Sequence, residues 1–325
     1  MRDRTTAALF AAIALLISLG WLGESWAQTH IPRLGVLSPS AMDHPWFVTF
    51  EKTLAEHGWV NGKNFSLEFR SARGDASRFA EAAQELVQSK VDVIFCSNAP
   101  AIRAAYAATH NVSLVALDYT TDPVAAGLAE SYGHPGKNVT GVFLDAPELT
   151  GKWLEILRSM VPGLSRIAVL WDPAPGSVHL RAIESGAQSL GLQLQVLEVH
   201  APEEIEKAFS GLHGRLQALI VLPSPLTYSL GPRLAELALK HRLPAVAMFR
   251  DFSEAGGTFS YGPDFTSSVQ RSAVMVAKVL KGAKPGDLPI ERPDKFELIV
   301  NSKTAKTLGL TIPESVLVRA DEVIR

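Results

Sequence analysis

Small polar residues and carboxylates recur where the apolar strands predicted in this 325-residue sequence come to an end. Their oxygens and amides bind polar ligands, and the free N–H groups at the start of a following helix attract a carboxylate. Because ligands of open parallel α/β sheets bind at the carboxyl ends of the strands, these positions predict a ligand-binding cleft. The ten candidate residues are Ser38, Ser40, Ser97, Asn98, Asp118, Asp122, Asp145, Ser177, Ser224 and Tyr261.

Each of these residue types also has a purely structural use. Ser, Asp and Asn cap helices and form turns, and any single one of them is best explained in that way. The whole set at one cleft is better explained by a ligand. Ser97 and Asn98 are the sharpest case, because they follow the apolar run 91–96 and precede Pro100, which suits the first turn of a helix. We expect this helix start to face a ligand carboxylate.

The sequence contains none of the common catalytic motifs. It has no G-x-x-x-x-G-K-[ST] phosphate loop, no G-x-G-x-x-G fingerprint, no G-x-S-x-G elbow and no H-E-x-x-H zinc motif. No two histidines lie three or four residues apart, so a helical metal site is not expected. We therefore predict no metal, no cofactor and no catalysis. The alternative is an exported enzyme in which Asp118, Asp122 and Asp145 supply the acid and the base.

Residues 1–27 have the pattern of a signal peptide. A basic start with Arg2 and Arg4 precedes the apolar run 7–22, and two small residues, Ser25 and Ala27, suit the −3 and −1 positions of a cleavage site. The run is too short to span a bilayer comfortably, and no cysteine directly follows it to carry a lipid. We expect cleavage after Ala27 and a soluble periplasmic protein. A retained N-terminal anchor is the alternative.

The composition is that of a well-packed globular protein, with 47% hydrophobic and 20% charged residues. A formal net charge of −2 provides no electrostatic footprint for nucleic acid or for an anionic lipid surface. The single cysteine, Cys96, excludes an intramolecular disulfide. It ends an apolar run, where we expect it to serve as a small buried hydrophobic residue.

Short apolar, β-branched runs alternate with amphipathic helical stretches along the chain. One series extends from Arg33 to Asp118, and a second, similar series extends from Arg166 to Met248. This alternation predicts two α/β halves with parallel sheets and right-handed crossovers. Two extended, glycine-bounded stretches at 136–144 and 256–262 fit neither half, and we interpret them as hinge strands, edge strands, or both.

Several longer motifs make the sequence resemble a known family. They include Gly58-Trp-Val-Asn-Gly-Lys-Asn64, Asp122-Pro-Val124 with Gly127-Leu128, Pro293-x-Lys-Phe-Glu-Leu-Ile-Val-Asn301 and Leu308-Gly-Leu-Thr-Ile-Pro313. In order and spacing they resemble the ABC-transporter substrate-binding family that includes the tryptophan- and tyrosine-binding proteins. The agreement extends over essentially the whole chain after the signal peptide.

The resemblance implies a two-lobed, type 1 periplasmic-binding-protein fold, α/β in class, whose doubly wound parallel-sheet lobes are joined by three crossing hinge segments. The implied lobes are 32–140 plus about 262–285, and 141–261 plus about 286–325. A monomer of this kind would bind a solute between its closing lobes and deliver it to a permease driven by a cytoplasmic ATPase.

The sequence departs from the aromatic-amino-acid binders of the family at two cleft positions. It has Gly141-Val-Phe-Leu-Asp145 where they tend to have Gly-Val-Ser-Asp, and Asp172-Pro-Ala-Pro-Gly-Ser177 where they tend to have Asn-Pro-x-Glu-x-Asn-Ser. The solute therefore need not be tryptophan or tyrosine. An amino acid or a related carboxylate is the expected class.

Overall fold

The protein folds into two β-sheets flanked by helices in a computed structural model that describes residues 30–73, 75–144 and 147–325. Residues Pro32–Arg325 form one unit, and the description below concerns that unit. The predicted signal peptide and the candidate residue Asp145 lie outside the described residues.

The first sheet has five parallel strands in the order β2-β1-β3-β4-β5. The strands are β1 (Arg33–Ser38), β2 (Ser66–Ser71), β3 (Val93–Cys96), β4 (Ser113–Asp118) and β5 (Val139–Phe143). Strand β2, whose apolar and polar residues alternate, lies at one edge, where one of its faces meets solvent. Strand β3 is apolar and buried throughout, and it lies at the centre of the sheet.

The second sheet has seven strands in the order β12-β11-β10-β9-β8-β6-β7. The strands are β6 (Arg166–Trp171), β7 (Gln193–Glu198), β8 (Ala218–Val221), β9 (Ala245–Ala247), β10 (Phe259–Pro263), β11 (Phe296–Asn301) and β12 (Glu322–Ile324). In the order of the chain, the first five strands of this sheet are β6 to β10, and they are arranged as β7-β6-β8-β9-β10, which repeats the order of the first sheet. The two predicted parallel α/β halves are therefore confirmed. One strand differs from the expectation of purely parallel sheets, because β11 pairs antiparallel with β10.

Helices connect most successive strands. They are α1 (Pro45–Glu56), α2 (Phe79–Gln88), α3 (Ala99–Ala108), α4 (Pro147–Met160), α5 (Val178–Ser189), α6 (Ile205–Ser210), α7 (Pro225–Ser229), α8 (Gly231–Lys240), α9 (Arg250–Glu254), α10 (Phe265–Leu280), α11 (Ser302–Thr307) and α12 (Glu314–Leu317). Short 3₁₀ turns occur at Ala76–Arg78, Pro202–Glu204 and Pro285–Asp287. In the part of the chain that is described, no helix has both the length and the apolar character needed to cross a membrane.

The chain passes between the two lobes three times. It leaves the first sheet after β5, and α4 then packs against α5 and β10 of the second lobe. It returns after β10, because α10 packs against α1, β4 and β5 of the first lobe, and it crosses again to reach β11. The antiparallel pairing of β11 follows this third crossing rather than a helical crossover within the sheet. The three crossings agree with the fold that the resemblance implies, whereas the exact lobe boundaries stay a prediction.

The two extended connectors have different places in the sheets. Strand β5 is the edge strand of the first sheet, whereas β10 lies inside the second sheet, between β9 and β11. Gly141 allows β5 to approach β4 closely. Its φ is +146°, and a Cβ atom there would come within 2.1 Å of the carbonyl oxygen of Ala116.

Aromatic side chains anchor the helices that lie closest to the cleft. Phe50 of α1 stacks on Phe95 of β3 with ring centroids 4.6 Å apart, and both rings are fully buried. Trp153 of α4 is also fully buried, and its indole N–H donates to the carbonyl oxygen of Tyr261, 2.8 Å away. The sheets and their helices therefore form rigid supports for the loops at the strand ends.

Candidate ligand-binding site

A pocket of about 480 Å³ lies where the strand ends of the two sheets face each other. Its lining comes from the segments after β1, β3 and β4 of the first sheet, after β6, β8 and β9 of the second, and from the start of α10. The lining residues are Pro39, Asn98, Ala99, Pro100, Asp118, Tyr119, Thr120, Pro175, Pro223, Ser224, Pro225, Tyr228, Phe249 and Phe265.

The first lobe supplies an amide to this pocket. Asn98 is the N-cap of α3, in extended conformation, and its Oδ1 accepts a hydrogen bond of 2.8 Å from the backbone N–H of Ala101. Its Nδ2 is buried and has no hydrogen-bond partner among the described residues. The local sequence explains the cap, because Asn is a preferred N-cap and Pro100 suits the first turn. The amide therefore has one end used by the helix and one end free.

The first lobe also supplies a carboxylate, at the end of β4. Oδ1 of Asp118 accepts hydrogen bonds from the N–H and the hydroxyl of Thr120, at 2.8 and 2.9 Å. Oδ2 is buried and has no such partner in the described part of the chain. Burial raises the pKa of this carboxyl, against the opposing effects of the neighbouring Thr121 hydroxyl, of the Thr120 hydrogen bonds and of the Arg103 charge.

The second lobe contributes a serine whose hydrogen bonds are satisfied locally. Ser224 caps α7 in a capping box: its Oγ accepts from the N–H of Thr227 at 3.0 Å, and its own N–H donates to Oγ1 of Thr227 at 2.9 Å. The Thr227 hydroxyl also donates to the carbonyl oxygen of Leu222, at 2.8 Å. This closed set of bonds stabilises the turn and leaves Ser224 no free hydrogen-bonding group, so, among the described residues, the polar atom that the second lobe leaves unpartnered beside the pocket is the phenol oxygen of Tyr228.

Four aromatic side chains form the remaining wall, which we call the aromatic wall: Tyr119, Tyr228, Phe249 and Phe265. Phe249 is central, with ring centroids 5.1 Å from Tyr228, 5.4 Å from Phe265 and 5.9 Å from Tyr119. Tilted and edge-to-face pairs at these distances attract one another. The wall therefore joins the two lobes and presents an apolar, polarizable surface to a ligand.

Arg103 connects the two lobes beside this pocket. It extends from α3, and its guanidinium donates to the carbonyl oxygens of Ala174 and Pro175, at 2.5 and 3.2 Å. These two residues follow β6, in the second lobe. Because Pro175 lines the pocket, the bridge ties the two sides together at the pocket itself.

Of the ten residues predicted from the sequence, Asn98, Asp118 and Ser224 line the pocket. Ser38 and Ser40 flank the lining residue Pro39, and the Oγ of Ser38 accepts a hydrogen bond of 3.1 Å from the N–H of Ser40. Ser97 adjoins Asn98 without lining the pocket. Its N–H donates to the carbonyl oxygen of Leu37, and its buried Oγ has no partner among the described residues.

The other predicted residues lie elsewhere. Asp122 uses one oxygen to accept from the N–H groups of Val124 and Ala125, at 2.8 and 3.1 Å. Ser177 begins α5 without a side-chain cap bond, and its hydroxyl pairs instead with Arg181. The ring of Tyr261 stacks on Phe296, with centroids 6.3 Å apart.

Sequence reasoning missed most of the aromatic wall. Tyr119 and Phe249 come shortly after their strands, Phe265 is the first residue of α10, and Tyr228 lies within α7. A signal for Tyr119 and Phe249 was present, because both occupy the same kind of strand-end position as the polar candidates. Phe265 and Tyr228 had no comparable local signal, since aromatic residues in helices usually serve the core. Cys96 is fully buried, as expected, and burial raises the pKa of its thiol.

Comparison with known proteins identifies the family. The family model described as "ABC transporter substrate binding protein" matches residues 37–324, which is nearly the whole described chain. The chain belongs to the ABC transporter substrate-binding protein family. The resemblance seen in the sequence motifs is therefore confirmed. Members of this family bind a small-molecule solute outside the cytoplasm and work with a membrane permease; the family is one of binding proteins rather than of enzymes.

Two relatives of this substrate-binding protein are described by the ligand they bind. A tyrosine-binding protein of Clostridioides difficile (strain R20291) is 26% identical over 265 residues, covering 80% of this chain and 75% of that protein. The crystal structure of an ABC domain from Streptococcus pneumonia in complex with L-Trp has 27% identity and a TM-score of 0.80, and covers 90% of this chain and 99% of that one.

A more distant structure extends the comparison of the fold. A periplasmic binding protein/LacI transcriptional regulator from Alkaliphilus metalliredigens QYMF, complexed with D-xylulofuranose, has a TM-score of 0.51 at 11% identity. It covers 82% of this chain and 96% of that chain. At such identity the likeness concerns the fold alone, and it agrees with the type 1 periplasmic-binding-protein architecture.

Proposed function

We propose that this substrate-binding protein is a periplasmic receptor that captures a small organic solute between its two lobes. Its signal peptide is removed after Ala27, and the mature chain acts as a monomer without catalysing a reaction. It delivers the solute to a permease whose transport is driven by a cytoplasmic ATPase. Membership of the substrate-binding protein family supports this role. The solute, the cleavage after Ala27, the monomeric state and the ATPase-driven permease are proposals.

One observation carries the proposal: the pocket is shared by both lobes and is chemically divided. The first lobe offers Nδ2 of Asn98 and Oδ2 of Asp118, which have no partner among the described residues, whereas the second lobe offers the rings of Tyr228 and Phe249. A solute with a polar end and an apolar body matches both walls at once. Because both lobes touch such a solute, its binding favours the closed arrangement.

The solute class that we propose is an amino acid or a related carboxylate. Its carboxylate would lie at the start of α3, a ten-residue helix, where Asn98 has an unused N–H donor. The tyrosine-binding relative and the L-Trp complex support the same class. The aromatic wall suits a planar side chain, although the two sequence departures at the cleft leave the side chain open.

The alternative of an exported enzyme finds little support in the pocket. It requires two carboxylates that act as acid and base, yet Asp118 lines the pocket and Asp122 does not. One oxygen of Asp122 already accepts two backbone hydrogen bonds in its own turn, and the third carboxylate of this alternative, Asp145, lies outside the described residues. We therefore retain binding without turnover as the function.

Binding and closure can be tested together on the mature protein. Thermal unfolding should be recorded with L-Tyr, L-Trp and a library of other amino acids, organic acids, amines and sugars. A true ligand at 100 times its dissociation constant should stabilise the fold by about 2.7 kcal/mol. Small-angle scattering should then show a smaller radius of gyration with ligand, and chromatography should recover the ligand unchanged.

Three results would contradict the proposal. Conversion of the solute to product would favour the enzyme. An unchanged scattering profile at proven saturation would argue against lobe closure. An intact Met1 or a lipid adduct in the protein isolated from its native envelope would argue against a soluble periplasmic receptor.

A further inference from the structure

The buried carboxylate of Asp118 determines what kind of solute the pocket can hold. We infer that the solute carries an organic ammonium group, that Asp118 is its counter-charge, and that the aromatic wall covers the apolar part next to this group. The inference rests on the proposed function, because it names the class of solute for the same pocket.

Asp118 has an unused oxygen in a place where water is scarce. The residue is 1% exposed, and only its Oδ1 is satisfied, by Thr120. A buried carboxylate oxygen without a partner costs free energy, so its presence at a pocket calls for an explanation, and a bound ligand is one. Asp118 lines the pocket, and an ammonium group of the solute that donates to Oδ2 would remove this cost.

The formally charged side chain that lines the pocket is negative. Among the described lining residues, Asp118 is the one with a formally charged side chain. The charged group that acts on it from α3 is Arg103, whose guanidinium already donates to the carbonyl oxygens of Ala174 and Pro175. The other titratable groups that line the pocket are the phenols of Tyr119 and Tyr228. A positive group on the solute would therefore find a negative partner and no positive competitor within the lining.

The aromatic wall favours the same class of solute. Tyr119 directly follows Asp118, and its ring contacts those of Phe249 and Phe265. Ring faces attract an organic cation, and they also cover the apolar carbons that adjoin it. A carboxylate placed against the same wall would lose its hydration and gain no such attraction.

A second buried aspartate shows that the strand-end position alone does not create this site. Asp172 follows β6, is 6% exposed and accepts a hydrogen bond of 2.9 Å from the N–H of Ala174. It thus makes the same kind of turn as Asp118, but it does not line the pocket. Asp172→Asn is accordingly a matched control for Asp118→Asn.

The competing explanation is that Asp118 is protonated and donates a hydrogen bond to an oxygen of the solute. The ammonium and the oxygen-acceptor explanations predict opposite effects of pH on affinity. If the solute is an ammonium, Asp118→Asn abolishes the charge pair, and affinity falls as the pH drops through the pKa of the ligand-free carboxyl. If the solute is an oxygen acceptor, the neutral amide of Asn keeps a donor, and affinity rises as the pH drops. The variant and the pH series therefore distinguish them.

The experiment uses matched probes that share one apolar body: phenethylamine, L-phenylalanine and 3-phenylpropionate, with equivalent sets built on indole and on isobutyl. Thermal shift and calorimetry are run on the parent, Asp118→Asn and Asp172→Asn. We expect the ammonium-bearing members of at least one set to bind the parent and Asp172→Asn alike. Asp118→Asn should bind them about 10- to 150-fold more weakly, the range for a hydrogen bond to a charged group.

Three outcomes overturn the inference, and a different one overturns the proposed function. If 3-phenylpropionate or its analogues bind as tightly as the amines, or if Asp118→Asn keeps the amine affinity, Asp118 is not a counter-charge. If only neutral or anionic solutes from the wider library bind, Asp118 is likewise not a counter-charge. If no solute of any class binds, the receptor function itself fails.

A measurement on the ligand-free protein provides an independent check. Since the pKa of Asp118 is raised by burial, the folded state keeps its proton to higher pH than the unfolded chain does. Stability is therefore lost as the pH rises from the unfolded pKa through the folded one. Asp118→Asn should remove this loss and be at least as stable as the parent at neutral pH, while binding the amine worse. If Asp118→Asn instead loses stability and affinity together, the role of Asp118 is to stabilise the fold.

Discussion

The two walls of the pocket are built from corresponding strands and yet differ in chemistry. After β3, Asn98 caps a helix with one end of its amide and leaves the other end free; after β8, Ser224 caps a helix and is closed in a capping box. Strand β4 ends with Asp118, whereas Met248 directly follows β9, and both residues are buried. The repeated architecture thus places a carboxylate at one strand end and an apolar side chain at the corresponding end in the other lobe.

This difference suggests a division of labour between the lobes. A polar solute end can bind the first lobe while the pocket is open, because the free atoms of Asn98 and Asp118 both belong to that lobe. On the proposed function, the second lobe would then close the rings of Tyr228 and Phe249 over the apolar body. Changes to the polar wall should therefore alter both which solutes bind and how tightly, whereas changes to the aromatic wall should weaken all solutes of one class alike.

The largest effect is expected from the aromatic wall. Phe249→Ala removes the ring that contacts Tyr119, Tyr228 and Phe265, and we expect solute affinity to fall about 30-fold or more, as for other central aromatic contacts. Calorimetry measures the loss. Phe296→Ala, which removes a ring stacked on Tyr261 away from the pocket, should leave affinity unchanged. Equal losses of affinity in both variants would mean that Phe249 affects binding by stabilising the fold and not by contacting the solute.

The two helix caps provide a more direct test of the comparison. Asn98→Ala and Ser224→Ala each remove a cap, and each should lower the free energy of unfolding by about 1 kcal/mol. Only Asn98→Ala also removes a free donor from the pocket, so it should weaken solute binding about tenfold, against less than twofold for Ser224→Ala. Denaturant unfolding and calorimetry are compared on the same samples. If affinity is untouched in both while stability drops, Asn98 is a cap and nothing more.

The smallest effect is expected at the bridge between the lobes. Arg103→Met removes the two hydrogen bonds to the carbonyl oxygens of Ala174 and Pro175, and the side chain is exposed, so unfolding stability should change little. We expect the solute to dissociate about two- to tenfold faster, because the closed arrangement loses neutral-acceptor hydrogen bonds. Stopped-flow dissociation measures this rate. Arg181→Met serves as the control, because the guanidinium of Arg181 pairs with Ser177 of its own segment. An equal change of the dissociation rate in this control would show that the hydrogen bonds between the lobes do not determine the rate.

Much of the scaffold could be predicted because it depends on local patterns. Strands and helices follow from apolar spacing of two and of 3.6 residues, and the alternation of apolar and polar residues in β2 agrees with its place at a sheet edge. The pairing of β11 could not be predicted in this way. Strand periodicity is the same in both directions, and only the third crossing of the chain makes β11 antiparallel.

The candidate site divides in the same way. The sequence by itself determined that Asn98 caps a helix, since the hydrogen bond joins residues three apart and Pro100 fits the first turn. It also determined that Asp118 ends a buried strand. Only the tertiary structure decided that Tyr119, Tyr228, Phe249 and Phe265 meet, because these rings come from separate elements of two lobes. It likewise decided that one oxygen of Asp118 is left without a partner, since this depends on every neighbour that packing does or does not bring near.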